Sequence, residues 1–142
     1  DIRLPAVETG EVDSLMILHT SAYVKTTVPF ARYRLHTASG KVKEEIVGSA
    51  NSGGEHELPA KLPVDAKLQD WWVGAPRFAT SRVKPISIAH MEPLDEFSGN
   101  FYVWRWKNPF PGETLTRLEV VSDLDQQATL GVLGVTLFVR EG

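Results

Sequence analysis

The stretch PFARYRLHTASGKVKEEIVG, residues 29–48, decides the fold class. Ala31, Tyr33 and Leu35 alternate with Arg32, Arg34 and His36, the period of two that puts successive side chains on opposite faces of a strand. Ala38-Ser39-Gly40-Lys41 then supplies turn chemistry, and a second alternating run follows, so the stretch predicts a β-hairpin. The outward Arg32, Arg34 and His36 form a cationic stripe. Its plain reading is a solvated sheet face with Lys43 and Glu45 as partners across the strand pair; its functional reading is contact with an acidic glycan or a sulfate.

Outward from the hairpin, strand signals recur and helical ones do not. SLMILHTS (14–21) is an apolar run bounded by turn formers, and ISIAHME (86–92) is another strand. Strands at 101–108, 115–122 and 129–139 close the chain; their connectors, PFPGET and DLDQQA, are short, so the three are expected to be antiparallel neighbours. Residues 48–66 hold Gly53-Gly54, Pro59 and Pro63 without periodicity and predict a long surface loop. Regular strands with almost no helix define an all-β sandwich or barrel.

With 142 residues the chain fits one domain, 1–142. A net charge of -3 argues against a grip on nucleic-acid phosphates or anionic membranes. Cysteine is absent, which removes disulfides, thiolate metal sites and thiol nucleophiles. The longest apolar stretch, TLGVLGVTLFV (129–139), is far short of the roughly 20 residues of a membrane helix. The start at Asp1-Ile2-Arg3 reads as a mature or excised piece of a longer parent.

Aromatic residues carry the candidate site. In YVWRWKNPFP (102–111), Tyr102, Trp104 and Trp106 share one strand face, while Phe101, Val103, Arg105 and Lys107 share the wetter one. Trp106, beside Asn108-Pro109, reads as core. Trp104 fits either a core ring or a ring at a strand end, where it could stack on a sugar. In Asp70-Trp71-Trp72 adjacent indoles point to opposite sides, so at most one is fully in the core; Asp70 reads as a turn cap or an indole acceptor. His19, His36, His56 and His90 lack metal-ligand spacing, and His19 reads as a core histidine. Asp123 and Asp125 share a turn but fall short of a calcium ligand set, so neither cofactor nor metal is expected. No facing carboxylate pair and no nucleophile elbow, P-loop or dinucleotide motif is evident, so no enzyme is expected.

VDSLMILHTS, VPFARYRLHTASGKVKEEI, DWW and YVWRWKNPFPGETLTRLEVVS, in that order, resemble a galactose-binding-domain-like jelly-roll module of bacterial secreted glycoside hydrolases and cell-surface proteins. The resemblance spans roughly residues 11–138, and Trp106 with Asn108-Pro109 and Pro111 is its most specific element. The loop at 48–66 is longer than that pattern needs, and the chain starts after the module's usual first strands, which would leave a sheet edge unpaired. The resemblance implies a non-catalytic accessory module working extracellularly, at the cell surface or in the periplasm. The resemblance identifies no ligand; the leading expectation is that the module binds or positions carbohydrate, through Trp104, Trp72, Arg105 and the loop 48–66, or through Arg34 and His36. The alternative is a structural module packed against a neighbouring domain or subunit. A third reading is a fragment of a hydrolase whose catalytic residues lie elsewhere.

Overall fold

A computed structural model describes residues 1–5, 11–23, 29–50, 66–71, 82–89, 98–122 and 128–140. Nine strands follow in chain order: β1 (Ile2–Arg3), β2 (Glu11–Ala22), β3 (Ala31–Thr37), β4 (Val42–Ser49), β5 (Ala66–Leu68), β6 (Val83–Ala89), β7 (Ser98–Lys107), β8 (Leu115–Ser122) and β9 (Thr129–Arg140). They form a five-stranded sheet, β1-β8-β3-β4-β5, and a four-stranded sheet, β6-β7-β2-β9. Every pairing is antiparallel except β4 with β5. The described residues contain no helix, so the fold is all-β with two sheets packed over one core.

Period-two patterning builds that core. Leu15 and Ile17 of β2 and Tyr102, Trp104 and Trp106 of β7 face Tyr33 and Leu35 of β3, Leu118 of β8 and Val47 of β4. Burying side chains of this size contributes about 1.5–3 kcal/mol each. The β3–β4 hairpin forms where the alternation places it, with His36 opposite Val42 and Gly40 at φ 90° in the turn. In the same register Arg34 lies opposite Glu44. Lys43 and Glu45 lie opposite Leu35 and Tyr33, on the inward parity, so they are not partners of the cationic stripe.

The closing strands depart from the expectation of antiparallel neighbours. β7 and β9 belong to the four-stranded sheet and β8 to the other, so each short connector crosses between sheets. At the β7–β8 crossing the Asn108 N–H donates to the Asp13 carbonyl (2.9 Å) and its side-chain amide to the Val12 carbonyl (2.8 Å). Its side-chain oxygen accepts the Phe110 N–H across Pro109 at 2.8 Å, and Gly112 completes the bend at φ 80°. Asn108-Pro109 thus redirects the chain to the opposite sheet. Two short strands escape sequence reading: β1 has two residues and β5 three, too few to show a period. Most of the expected loop 48–66 lies outside the described residues, as do Trp72, His56, His90, Asp123 and Asp125.

Candidate functional site

Trp104 belongs to an internal stack. Its ring lies 5.9 Å from that of Tyr33 and 5.2 Å from that of Trp106, and Tyr33 stacks in turn on His19 at 5.8 Å. At 2% exposure Trp104 offers no open face to a ligand. The strand end that could have lifted it from the core falls beyond Trp106 instead. The cation placed over Trp104 is Lys67 of β5, with Nζ at 5.0 Å; this amine also donates to the Ile46 carbonyl and lies 3.8 Å from Glu45. Its alkyl stem is buried along the ring.

His19 closes the inner end of the stack. Tyr33 Oη donates to Nδ1 at 2.6 Å, and Nε2 donates to the Lys67 carbonyl at 3.1 Å, an arrangement that needs the neutral Nε2–H tautomer. Burial lowers the His19 pKa to about 4 and raises that of Tyr33. Close by, Ser21 Oγ donates to the Gln69 carbonyl at 3.0 Å, and the Trp71 N–H reaches the Ser21 carbonyl at 2.8 Å. This buried polar group fastens β5 and its continuation to β2. His19 therefore holds the structural place its apolar flanks suggested, whereas Lys67 sits in a stretch with no sequence signal for burial.

Arg34 and His36 lie on the outer face of the five-stranded sheet, in a balanced charge network. Arg34 Nε donates to Glu44 at 2.8 Å and sits 3.9 Å from Glu119. Arg117 donates to His36 Nδ1 at 3.3 Å, and His36 Nε2 donates to Glu119 at 2.9 Å. Glu44 is held below the usual carboxylate range by Arg34, and Glu119 by His36. Glu44 on β4 and Glu119 on β8 flank the stripe from both sides, which the sequence conceals because β8 is distant in the chain. The stripe is a cross-strand ion network rather than a free cationic surface.

Arg105 lies on the outer face of the other sheet, where the balance differs. Its Nε donates to Ser14 at 3.1 Å, its guanidinium lies 3.5 Å from Asp13 and its Cζ stands 5.1 Å from the Phe138 ring centroid. Arg140 also reaches Asp13, at 2.5 Å, and holds that carboxyl below its ordinary range. Asp13 can serve both because a bulge between Val12 and Ser14 makes it an extra residue on β2. Across this face Lys84, Arg105, Lys107 and Arg140 stand against Asp13. Beside them and further along the strands the face is apolar: Met16 and Leu18 of β2, Phe101 and Val103 of β7 and Ile86 of β6 share the outward parity and are absent from the core cluster.

A cleft of about 120 Å³ between the start of β2, β9 and the β7–β8 connection, lined by Glu11, Val12, Glu113, Leu115 and Leu137 among others, is smaller than the roughly 300–1,000 Å³ of small-molecule pockets. No cluster of His, Asp or Glu among the described residues could hold a metal ion. No described helix is long and apolar enough to cross a membrane. No family model, curated protein or solved structure matches the chain.

Proposed function

We propose that the chain is a non-catalytic module that positions a larger assembly by docking the outer face of its four-stranded sheet on a neighbouring domain or subunit. The observation that carries this is the makeup of that face. Met16, Leu18, Phe101, Val103 and Ile86 form an apolar patch, and Lys84, Arg105, Lys107 and Arg140 border it on one edge and towards one end of the sheet, in a chain of net charge -3. An apolar patch bordered by charge has the makeup of a protein interface. Jelly-roll kinship and an extracellular setting rest on the resemblance across residues 11–138; the nested pairings β1–β8 and β2–β7 are compatible with it.

Hydroxyl-radical footprinting tests the docking face. Oxidation of Met16 and Phe101 should fall in the native assembly relative to the isolated chain, and Leu18→Asp should restore it. Equal oxidation in both states would sink the reading.

A second reading, carbohydrate binding, is favoured by Phe138, which is 37% exposed beside Arg105. An acidic sugar could stack on that ring and place its carboxylate between Arg105 and Arg140. On an array of neutral, uronic and sulfated glycans, binding abolished by Phe138→Ala and by Arg105→Ala would establish it. Silence across the array would remove it.

A further inference from the structure

The sheet edges are not protected alike. A β-strand at an edge presents unpaired N–H and C=O groups, and folded proteins blunt such edges with short strands, proline or lysine. In the five-stranded sheet the edges are β1, of two residues, and β5, of three. In the other sheet β6 carries Lys84 and Pro85 in its first half. The fourth edge, β9, has 12 residues, contains no proline and is uncharged from Thr129 to Val139. Its paired strand among the described residues is β2 alone. Leu133, Phe138 and Val139 are exposed along it.

We infer that β9 is a homodimer contact: β9 of a second copy pairs with it antiparallel and joins the two four-stranded sheets into one. The register follows from which residues face inward. Leu130, Val132, Val135 and Leu137 pack against the core, while Leu133 is the extra residue of the bulge between Leu18 and His19. With Val135 on the two-fold axis against its own copy, Thr136 meets the partner's Gly134 and Leu137 meets the partner's Val132. Phe138 then meets the partner's Gly131, and Val139 the partner's Leu130. Every pair falls on one face, with the bulged Leu133 as the extra residue in each strand. Phe138 covers a glycine whose added Cβ would meet only Thr20, at 3.6 Å, so the aromatic ring has room there.

Local charge does not oppose a second copy at this edge, since β9 is uncharged until Arg140 and its self-pairing brings no like charges into contact along Thr129–Val139. Face-to-face packing of the cationic outer sheets is disfavoured because Lys84, Arg105 and Lys107 would oppose their own copies. Edge pairing instead continues that face across both copies.

The test uses sedimentation velocity and a cross-link. The chain should pass from 15.8 kDa to a species of twice that mass as its concentration rises through about the micromolar range. Leu133→Lys with Thr136→Lys should remove the heavy species with little change in the thermal melt, because both side chains are exposed. Ile86→Lys on the β6 edge should leave it intact. Since the protein has no cysteine, Val135→Cys provides a reading independent of the lysine variants. Mild oxidation should yield a disulfide-linked dimer, as the two-fold brings like residues within bridging distance, and Ile86→Cys should not. A chain that stays monomeric to about 100 µM, a dimer that persists in the lysine variant, or a Val135→Cys chain that does not cross-link would each overturn the inference. These outcomes leave the footprinting of the outer face untouched, so the two readings fail separately.

Discussion

Neutral His19 sits between a phenol that donates to it and a carbonyl that accepts from it, and protonation removes the acceptor at Nδ1. Its pKa falls from 6.5 to about 4 on folding, so between those values the unfolded chain binds more protons than the folded one. Stability contributed by the neutral ring is full above pH 6.5 and declines as pH drops towards 4, by up to about 3 kcal/mol. Urea unfolding followed from pH 7.5 to 4.5 should show that decline, and His19→Asn should flatten it; an unchanged slope in the variant would assign it to other groups. Depressed carboxylates such as Glu44 and Asp13 add their own loss from the acid end of this window downwards, because their unfolded counterparts bind protons near 4.5 and 3.8. Trp104→Ala should cost roughly 3–5 kcal/mol, since it leaves Tyr33, Trp106 and Lys67 around a cavity. A melt displaced by far less would mean that the stack closes over the gap.

Asn108 shows how one residue commits two elements. It ends β7, ties the turn to β2 through the Val12 and Asp13 carbonyls and spans Pro109 to Phe110. Asn108→Ala should cost about 1–3 kcal/mol, because it leaves the buried Val12 carbonyl without its donor. Equilibrium denaturation checks this, and Asn108→Asp separates the two bonds by keeping the acceptor for Phe110 and losing the donor for Val12. The sequence already marked Asn108-Pro109 as special, since a polar residue before proline at a strand end is local information. It did not show where the chain goes next. A turn that returns to the same sheet and one that crosses to the other share composition, and the pairing that distinguishes them, β8 on β3, involves residues far upstream. The cationic stripe was legible for the same local reason, and its neutralisation by Glu119 was hidden for the same distant one. Arg105 was legible as an outward cation, whereas its link to Phe138 needed β9 placed beside β2.

At the scale of the whole molecule, long-range pairing shapes how the chain folds. β3–β4 and β6–β7 join neighbours in sequence, while β1–β8, β2–β7, β2–β9 and β3–β8 close long loops. Such topology places refolding in about the millisecond to second range. The hairpin can form early, since its turn is local and its inward Tyr33 and Leu35 provide the first apolar surface onto which β8 and β7 pack. β9 docks last, because it is an edge strand and its place depends on β2 being already held by β7. Leu35→Ala should therefore slow refolding, whereas Leu137→Ala on β9 should leave refolding nearly unchanged and speed unfolding. Stopped-flow chevrons at protein concentrations below those of dimer formation decide the matter. If Leu137→Ala slows refolding as much as Leu35→Ala does, β9 belongs to the nucleus, and the order of assembly argued from the topology is wrong.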